Sequence, residues 1–196
     1  MSNKILVIVG AGGHGRAVAE IAADERYHSV FFLDENYDPA RVQFVDGHLL
    51  VGNTSCLEKF IEVENCIFFV AIGHQATRKR ITEKIISLKL PLANLIHSAA
   101  YISPSARLSV GIAVMAGAVV GAHAEVGTGV IINANATADH DTKLEDYVHL
   151  GVGVQLAGGV QVQESAWMQA GSCAGYHVTV PSYSVIPPGQ ALIQEK

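Results

Sequence analysis

The sequence predicts an α/β N-terminal half-Rossmann domain followed by a left-handed parallel β-helix of hexapeptide repeats, and three observations predict it. A continuous apolar run, "KILVIVG", leads into a glycine loop that opens a helical segment. Apolar runs and helical segments then alternate as far as residue 95. From Ile96 to Leu192 every sixth residue is apolar, seventeen positions in succession.

The elements of residues 1–95 follow in order. A strand buried on both faces reads as an unbroken apolar run, as "KILVIVG" does. "GRAVAEIAAD" has helical spacing, with Val18, Ile21 and Ala22 on one face. "SVFFLDE" predicts a second strand and "CIFFVAIG" a third. "QATRKRITEKIISLK" predicts an amphipathic helix with Ile81, Ile85 and Leu88 inside, and "LANLI" a last strand. This alternation implies a small parallel sheet with right-handed crossovers.

Residues 96–196 obey a different rule. With about half of all residues apolar, chance gives seventeen successive matches about once in 10⁵ trials, so the period is real. The position four residues after each match is small or β-branched, as at Ala118, Ala124, Val130 and Thr142. A helix repeats every 3.6 residues and a strand every two, so six fits neither alone. It fits short strands joined by tight turns around a triangular prism, with aliphatic residues inward and small residues at the corners. Three hexads make a coil of about 18 residues, and the segment holds about five coils.

Composition narrows the function. The chain is 49% hydrophobic, 16% charged and has a net charge of -5, which disfavours nucleic acid as a partner. Cys56, Cys66 and Cys173 lack metal-ligand spacing and read as reduced thiols of a cytoplasmic protein. The N-terminal apolar run is too short for a signal peptide, and no apolar stretch is long enough for a membrane span.

"VGAGGHGRAVAE" matches G-x-G-x-x-G at Gly10, Gly12 and Gly15, with Asp34 at the end of the next strand. Amides at a helix N-terminus cradle a pyrophosphate, and an acid on the second strand meets a ribose. The α/β part is only one mononucleotide half, so a nucleotide-sugar diphosphate suits it as NAD suits a whole sheet. A merely tight strand-to-helix turn is the plain alternative.

"ATADHDTKLEDYVHLGVG" carries two histidines, His140 and His149, nine residues apart. Nine residues is half of an 18-residue coil, so the two project from different sides of the prism. They can share a site only across copies, and a threefold assembly suits a three-faced prism. His140 lies between Asp139 and Asp141, and a carboxylate that holds one ring nitrogen leaves the other basic. His123 and His177 stand singly and read as exposed turn residues. Three ligands for a metal are not gathered, so no metal is expected.

The order of these motifs, "GAGGHG", an Asp-Glu pair after the second strand, "AIG", then "NLIHSAAYISPSA" leading into hexads, resembles the sugar O- and N-acetyltransferases of the sialic-acid and bacillosamine pathways. Within them it is most similar to the UDP-4-amino-sugar N-acetyltransferases. The resemblance covers nearly the whole chain. It implies a cytoplasmic homotrimer that uses acetyl-CoA and no metal. The implied acceptor is the 4-amino group of a UDP-4-amino-4,6-dideoxy-sugar for bacterial glycan synthesis, with the UDP-amino-sugar held in the N-terminal domain. Carried over by position, His140 is the base and Asp141 its orienting acid. Asn133 starts the same coil, while His149, Gly158 and Ala170 meet the cofactor, Gly158 through an oxyanion-binding amide. Gly12, Gly13 and His14 form the phosphate loop, Asp34 and Glu35 contact uridine, and Gly73 follows the third strand. The chain departs from the pattern at His74, where Asn is common, and in ending on "VIPPGQALIQEK" rather than near Gly-x-Pro-Ala-Lys/Arg. Three other functions fit parts of the sequence: an O-acetyltransferase acting on sialic acid or a related sugar, a non-catalytic nucleotide-sugar-binding solenoid, and an NAD-dependent enzyme.

Overall fold

The computed structural model describes residues 4–24 and 27–194, and the chain divides into two compact units between Leu95 and Ile96. The first unit contains β1 (Ile5–Val9), α1 (Gly13–Asp24), β2 (Ser29–Leu33), β3 (Gln43–Val45), β4 (His48–Gly52), β5 (Cys66–Val70) and α2 (Gln75–Ser87). Its sheet has the order β3-β4-β2-β1-β5. Leu6, Val7, Ile8 and Val9 are fully buried without alternation, as a central parallel strand requires. The registers align Val9 with Leu33 and with Val70, so β1, β2 and β5 end side by side. The loops that follow them therefore emerge along one edge, where open α/β sheets bind ligands.

Two sequence expectations are corrected here. The sheet is not wholly parallel, because β3 runs antiparallel to β4. "QFVDGHLLVG" turns at Asp46 and Gly47, whose φ values are 45° and 84°. Both are left-handed, as a two-residue Asp-Gly hairpin turn demands, and this Asp-Gly signal went unread. "LANLI" supplies no full strand to the sheet: Leu92 makes an isolated parallel bridge to Phe68, and only Leu95–Ile96 is extended.

The second unit is a left-handed parallel β-helix of two-residue strands. Each strand pairs in parallel with the strand one coil away, as Thr137 does with Val119 and Gln155. Val120, Ile132, Ala138, Leu150, Val162 and Met168 are fully buried, one per hexad. The small and β-branched residues four positions on were expected at the corners. Ala118, Ala124, Val130, Ala136, Val148 and Val160 are instead fully buried and form a second inward column. The prism is narrow, so only short side chains fit two abreast in its interior.

The corners carry a different signature. His123, Asp141, Gly159 and His177 all have φ between 57° and 71°, and they stack one coil apart. Gly, Asp and His tolerate this left-handed conformation better than most residues. The outward strand positions differ from face to face. One face presents Arg107, Glu125, Lys143, Gln161 and Thr179; the corresponding positions of another are Ala113 and Ile131, both buried, then His149, Trp167 and Val185.

Candidate active site

In the first unit a cavity of about 320 Å³ opens at the shared edge of β1, β2 and β5. Gly12, Gly13, His14, Asp34, Glu35 and Gly73 all line it. Side chains are absent at Gly12 and Gly13, and nothing lies within 4 Å of where they would be. Open space therefore lies beside the loop at the start of α1, which suits an anion at a helix N-terminus. Gly15 serves packing instead: a methyl group there would lie 2.0 Å from the Gly10 carbonyl oxygen.

The walls of this cavity are held by polar side chains. The Asp34 carboxylate accepts from the Ala11 amide at 2.8 Å and from the Asn36 backbone and side chain at 3.0 and 2.8 Å. Burial pushes its pKa up, and these donors more than reverse that, leaving it below the usual carboxylate value. Asp34 therefore already ties β2 to the glycine loop. Glu35 accepts from the Thr54 hydroxyl. Burial, with the charge of Arg78 second, lowers the pKa of His14 to about 4, so its ring is neutral at ordinary pH. His74 caps α2 by accepting from the Thr77 amide at 3.4 Å, the office an Asn would fill.

Sequence reasoning missed three residues here. Arg78 is fully buried and donates to the Ile72 and Gly73 carbonyls at 2.9 and 2.8 Å, which fixes the loop after β5. Thr54 and Arg80 line the cavity. The signal for Arg78 was its helical position: it lies three residues before Ile81 and seven before Ile85, on the apolar face.

In the second unit His140 stands in the corner turn between Thr137–Ala138 and Lys143–Leu144. Its Nδ1 lies 2.8 Å from Asp141 Oδ2. A carboxylate only accepts, so Nδ1 carries the proton and Nε2 of the neutral ring keeps its lone pair. The bond to Asp141, above all, raises the His140 pKa from the ordinary 6.5; desolvation opposes it, and the charges of Asp139 and then Asp141 add to the rise. The left-handed backbone of Asp141 turns its carboxylate back toward the ring.

One coil further on, the corner belongs to Gly158. A methyl group there would lie 2.4 Å from both Cε1 and Nε2 of His140, so the imidazole rests on the glycine. The Gly158 amide donates to no acceptor among the described residues. Base, orienting acid and open amide thus share one corner.

The remaining expected residues lie elsewhere on the prism. His149 is on the face opposite that corner, and its ring stacks on Trp167 at 5.7 Å and 18°. Asn133 and Ala170 belong to a different corner column, and the Asn133 side chain accepts from the Ala134 amide at 2.8 Å. Within one chain His149, Asn133 and Ala170 do not join His140. Among the described residues no three His, Cys, Asp or Glu side chains gather as metal ligands, and no helix is long and apolar enough to cross a membrane.

Known proteins share this architecture. Residues 5–85 match the family model described as the PglD N-terminal domain. The acetyltransferase domain of PglB from Neisseria gonorrhoeae, solved with acetyl coenzyme A, superimposes with a TM-score of 0.87 and 35% identity over 98% of this chain and 97% of that one. The chain belongs to this family of sugar acetyltransferases. A second family member, PerB from Caulobacter crescentus in complex with CoA and GDP-perosamine, gives a TM-score of 0.85 at 35% identity, covering 97% of this chain and 91% of that one. UDP-N-acetylbacillosamine N-acetyltransferase of Bacillus subtilis is 32% identical over 118 residues. That match takes in 58% of this chain and 52% of the relative, so it spans about half of the relative's length.

Proposed function

We propose that the protein transfers the acetyl group of acetyl-CoA to an amine of a nucleotide-linked amino sugar. The observation that carries this is the seating of the Asp141-bonded imidazole of His140 on Gly158. Two relatives at 35% identity, one solved with acetyl coenzyme A and one with CoA and GDP-perosamine, support the donor and the acceptor class.

In this mechanism Nε2 of His140 takes a proton from the sugar amine as its nitrogen attacks the thioester carbon. Asp141 keeps the proton on Nδ1 and stabilises the imidazolium that forms. The Gly158 amide donates to the developing oxyanion, a contribution of about 3 kcal/mol for one such donor. Collapse of the tetrahedral species breaks the carbon–sulfur bond and releases CoA. Base catalysis of this kind supplies about 10²–10⁴-fold.

The glycine loop of the first unit holds the sugar diphosphate, with Gly12, Gly13 and His14 at the phosphates and Asp34, Glu35 and Gly73 around the nucleoside. A UDP-4-amino-4,6-dideoxy-sugar is the proposed acceptor, in keeping with the name of the Bacillus subtilis relative. The working form is a cytoplasmic homotrimer in which His149, Asn133 and Ala170 of one copy meet acetyl-CoA bound at a neighbour's His140. The apolar residues Trp167 and Val185 on the face of His149 suit such a contact.

Incubation with acetyl-CoA and a panel of UDP- and GDP-linked amino sugars, with non-amino sugars alongside, tests the proposal by mass spectrometry. Gain of one acetyl group only where an amine is present is the expected result. Acetylation of a hydroxyl acceptor in preference to an amine would overturn it.

A further inference from the structure

The two carboxylates beside His140 hold different atoms. Asp141 takes the ring, and Asp139 Oδ1 accepts from the backbone N–H of His140 at 2.7 Å. Corner amides elsewhere are held by side chains of the neighbouring coil, as the Thr128 amide is by Asp146 Oδ1 at 2.7 Å, but here the residue just before supplies the oxygen. Asn133 does the same for Ala134 at 2.8 Å. Before Gly158 stands Ala157, which offers none, and the Gly158 amide stays open. Of these two amides, that of His140 is therefore occupied and that of Gly158 available. Asp139 is itself fixed, since its carbonyl accepts from the hydroxyl of buried Thr142 at 2.9 Å and its amide donates to Leu156 at 3.3 Å.

We propose that Asp139 is a positioning residue for acetyl transfer: it pins the corner amide of His140, sets the ring over Gly158 and leaves the Gly158 amide as the oxyanion donor of that corner. The inference rests on His140 being the base. The ring leans one coil along the corner, onto Gly158, so rotation of its backbone would swing Nε2 off the reacting nitrogen. The charge on Asp139 also favours the protonated ring. The other ionisable groups around His140 are Asp141, His123 in the preceding corner, Tyr176 and His177 beyond Gly158 and Gly159, and Lys143 and Glu125 on the adjoining face.

Asp139→Ala and Asp139→Asn separate the pin from the charge. The asparagine keeps an oxygen at Oδ1 and loses the charge, and the alanine loses both. In the full-length protein, Asp139→Ala is expected to lower kcat about 10-fold while KM for acetyl-CoA and for the nucleotide sugar stay within about twofold, the pattern of an interaction that matters in the transition state. Asp139→Asn is expected to restore kcat to within about threefold of the native plateau, and both variants should move the acid limb of kcat/KM to lower pH. A wild-type kcat in Asp139→Ala, an asparagine variant as slow as the alanine, or an unmoved acid limb in Asp139→Asn would each overturn the inference. So would a raised KM with unchanged kcat, which would make Asp139 a substrate contact. Full activity in His140→Ala would instead sink the base assignment beneath it. If Asp139→Ala melts early by circular dichroism, the near-isosteric asparagine variant carries the test through its pH profile.

Discussion

The imidazole of His140 lies against the α-carbon of Gly158, so close that one added carbon would collide with Nε2 at 2.4 Å. Gly158 does not have a left-handed φ, so alanine suits its backbone and conflicts only with the ring. Gly158→Ala should keep its melting temperature yet lose about 10²-fold in kcat, the scale of a displaced general base. An active Gly158→Ala enzyme would show that the ring need not rest there.

The bond to Asp141 raises the His140 pKa, and only the neutral ring accepts a proton. Rate should therefore climb with pH through that raised value and level off above it. Asp141→Asn removes the chief cause, so its acid limb should shift to lower pH, with a plateau lowered by about 10-fold or more because the wrong tautomer is then allowed. His140→Ala should abolish the limb and cost about 10²-fold or more in kcat. A log kcat/KM profile for the three proteins checks all of this, and identical limbs in native and Asp141→Asn enzyme would refute it.

Gly13 and Gly15 are two residues apart and predict opposite outcomes. Nothing lies within 4 Å of a Cβ on Gly13, so Gly13→Val should fold and fill the pocket mouth. Calorimetry should find nucleotide-sugar affinity down by about 10-fold or more, an anion having lost close approach to the amides, with acetyl-CoA affinity kept. Gly15→Ala meets the Gly10 carbonyl and should unfold at lower temperature by light scattering or dichroism.

His149 and Trp167 test the assembly. His149→Ala should raise KM for acetyl-CoA more than it lowers kcat. Trp167→Ala removes the stacking partner of that ring and should raise the same KM by about 2- to 10-fold, the worth of an aromatic contact. Mixing His140→Ala with His149→Ala subunits should restore activity, because some interfaces then pair two intact copies. Confirmed subunit exchange with no recovery at any ratio would mean that the two histidines never meet.

Periodicity made the solenoid legible, because a three-faced prism repeats one steric demand every six residues and "VGAHAE" or "LGVGVQ" must answer it. The glycine loop was legible for a similar reason, Gly10 and Gly15 being where backbone meets backbone. Contacts made through space were hidden. Gly158 is eighteen residues from His140 in sequence and touches its ring only because one coil takes eighteen residues. Arg78 looked like one more cation in "QATRKR", since burial of an arginine depends on carbonyls, those of Ile72 and Gly73, that no pattern announces.

That coil length makes the second unit behave like text with a reading frame. Loss of one residue between Asp141 and Gly158 would leave His140 above Gly159, whose own partner is the His177 ring, and would turn every later core side chain outward. Loss of eighteen residues beyond Gly175 would leave the His140 corner and its floor untouched. Chains built this way can lengthen or shorten by whole coils while the chemistry stands still, and a single slipped residue is the change they do not survive.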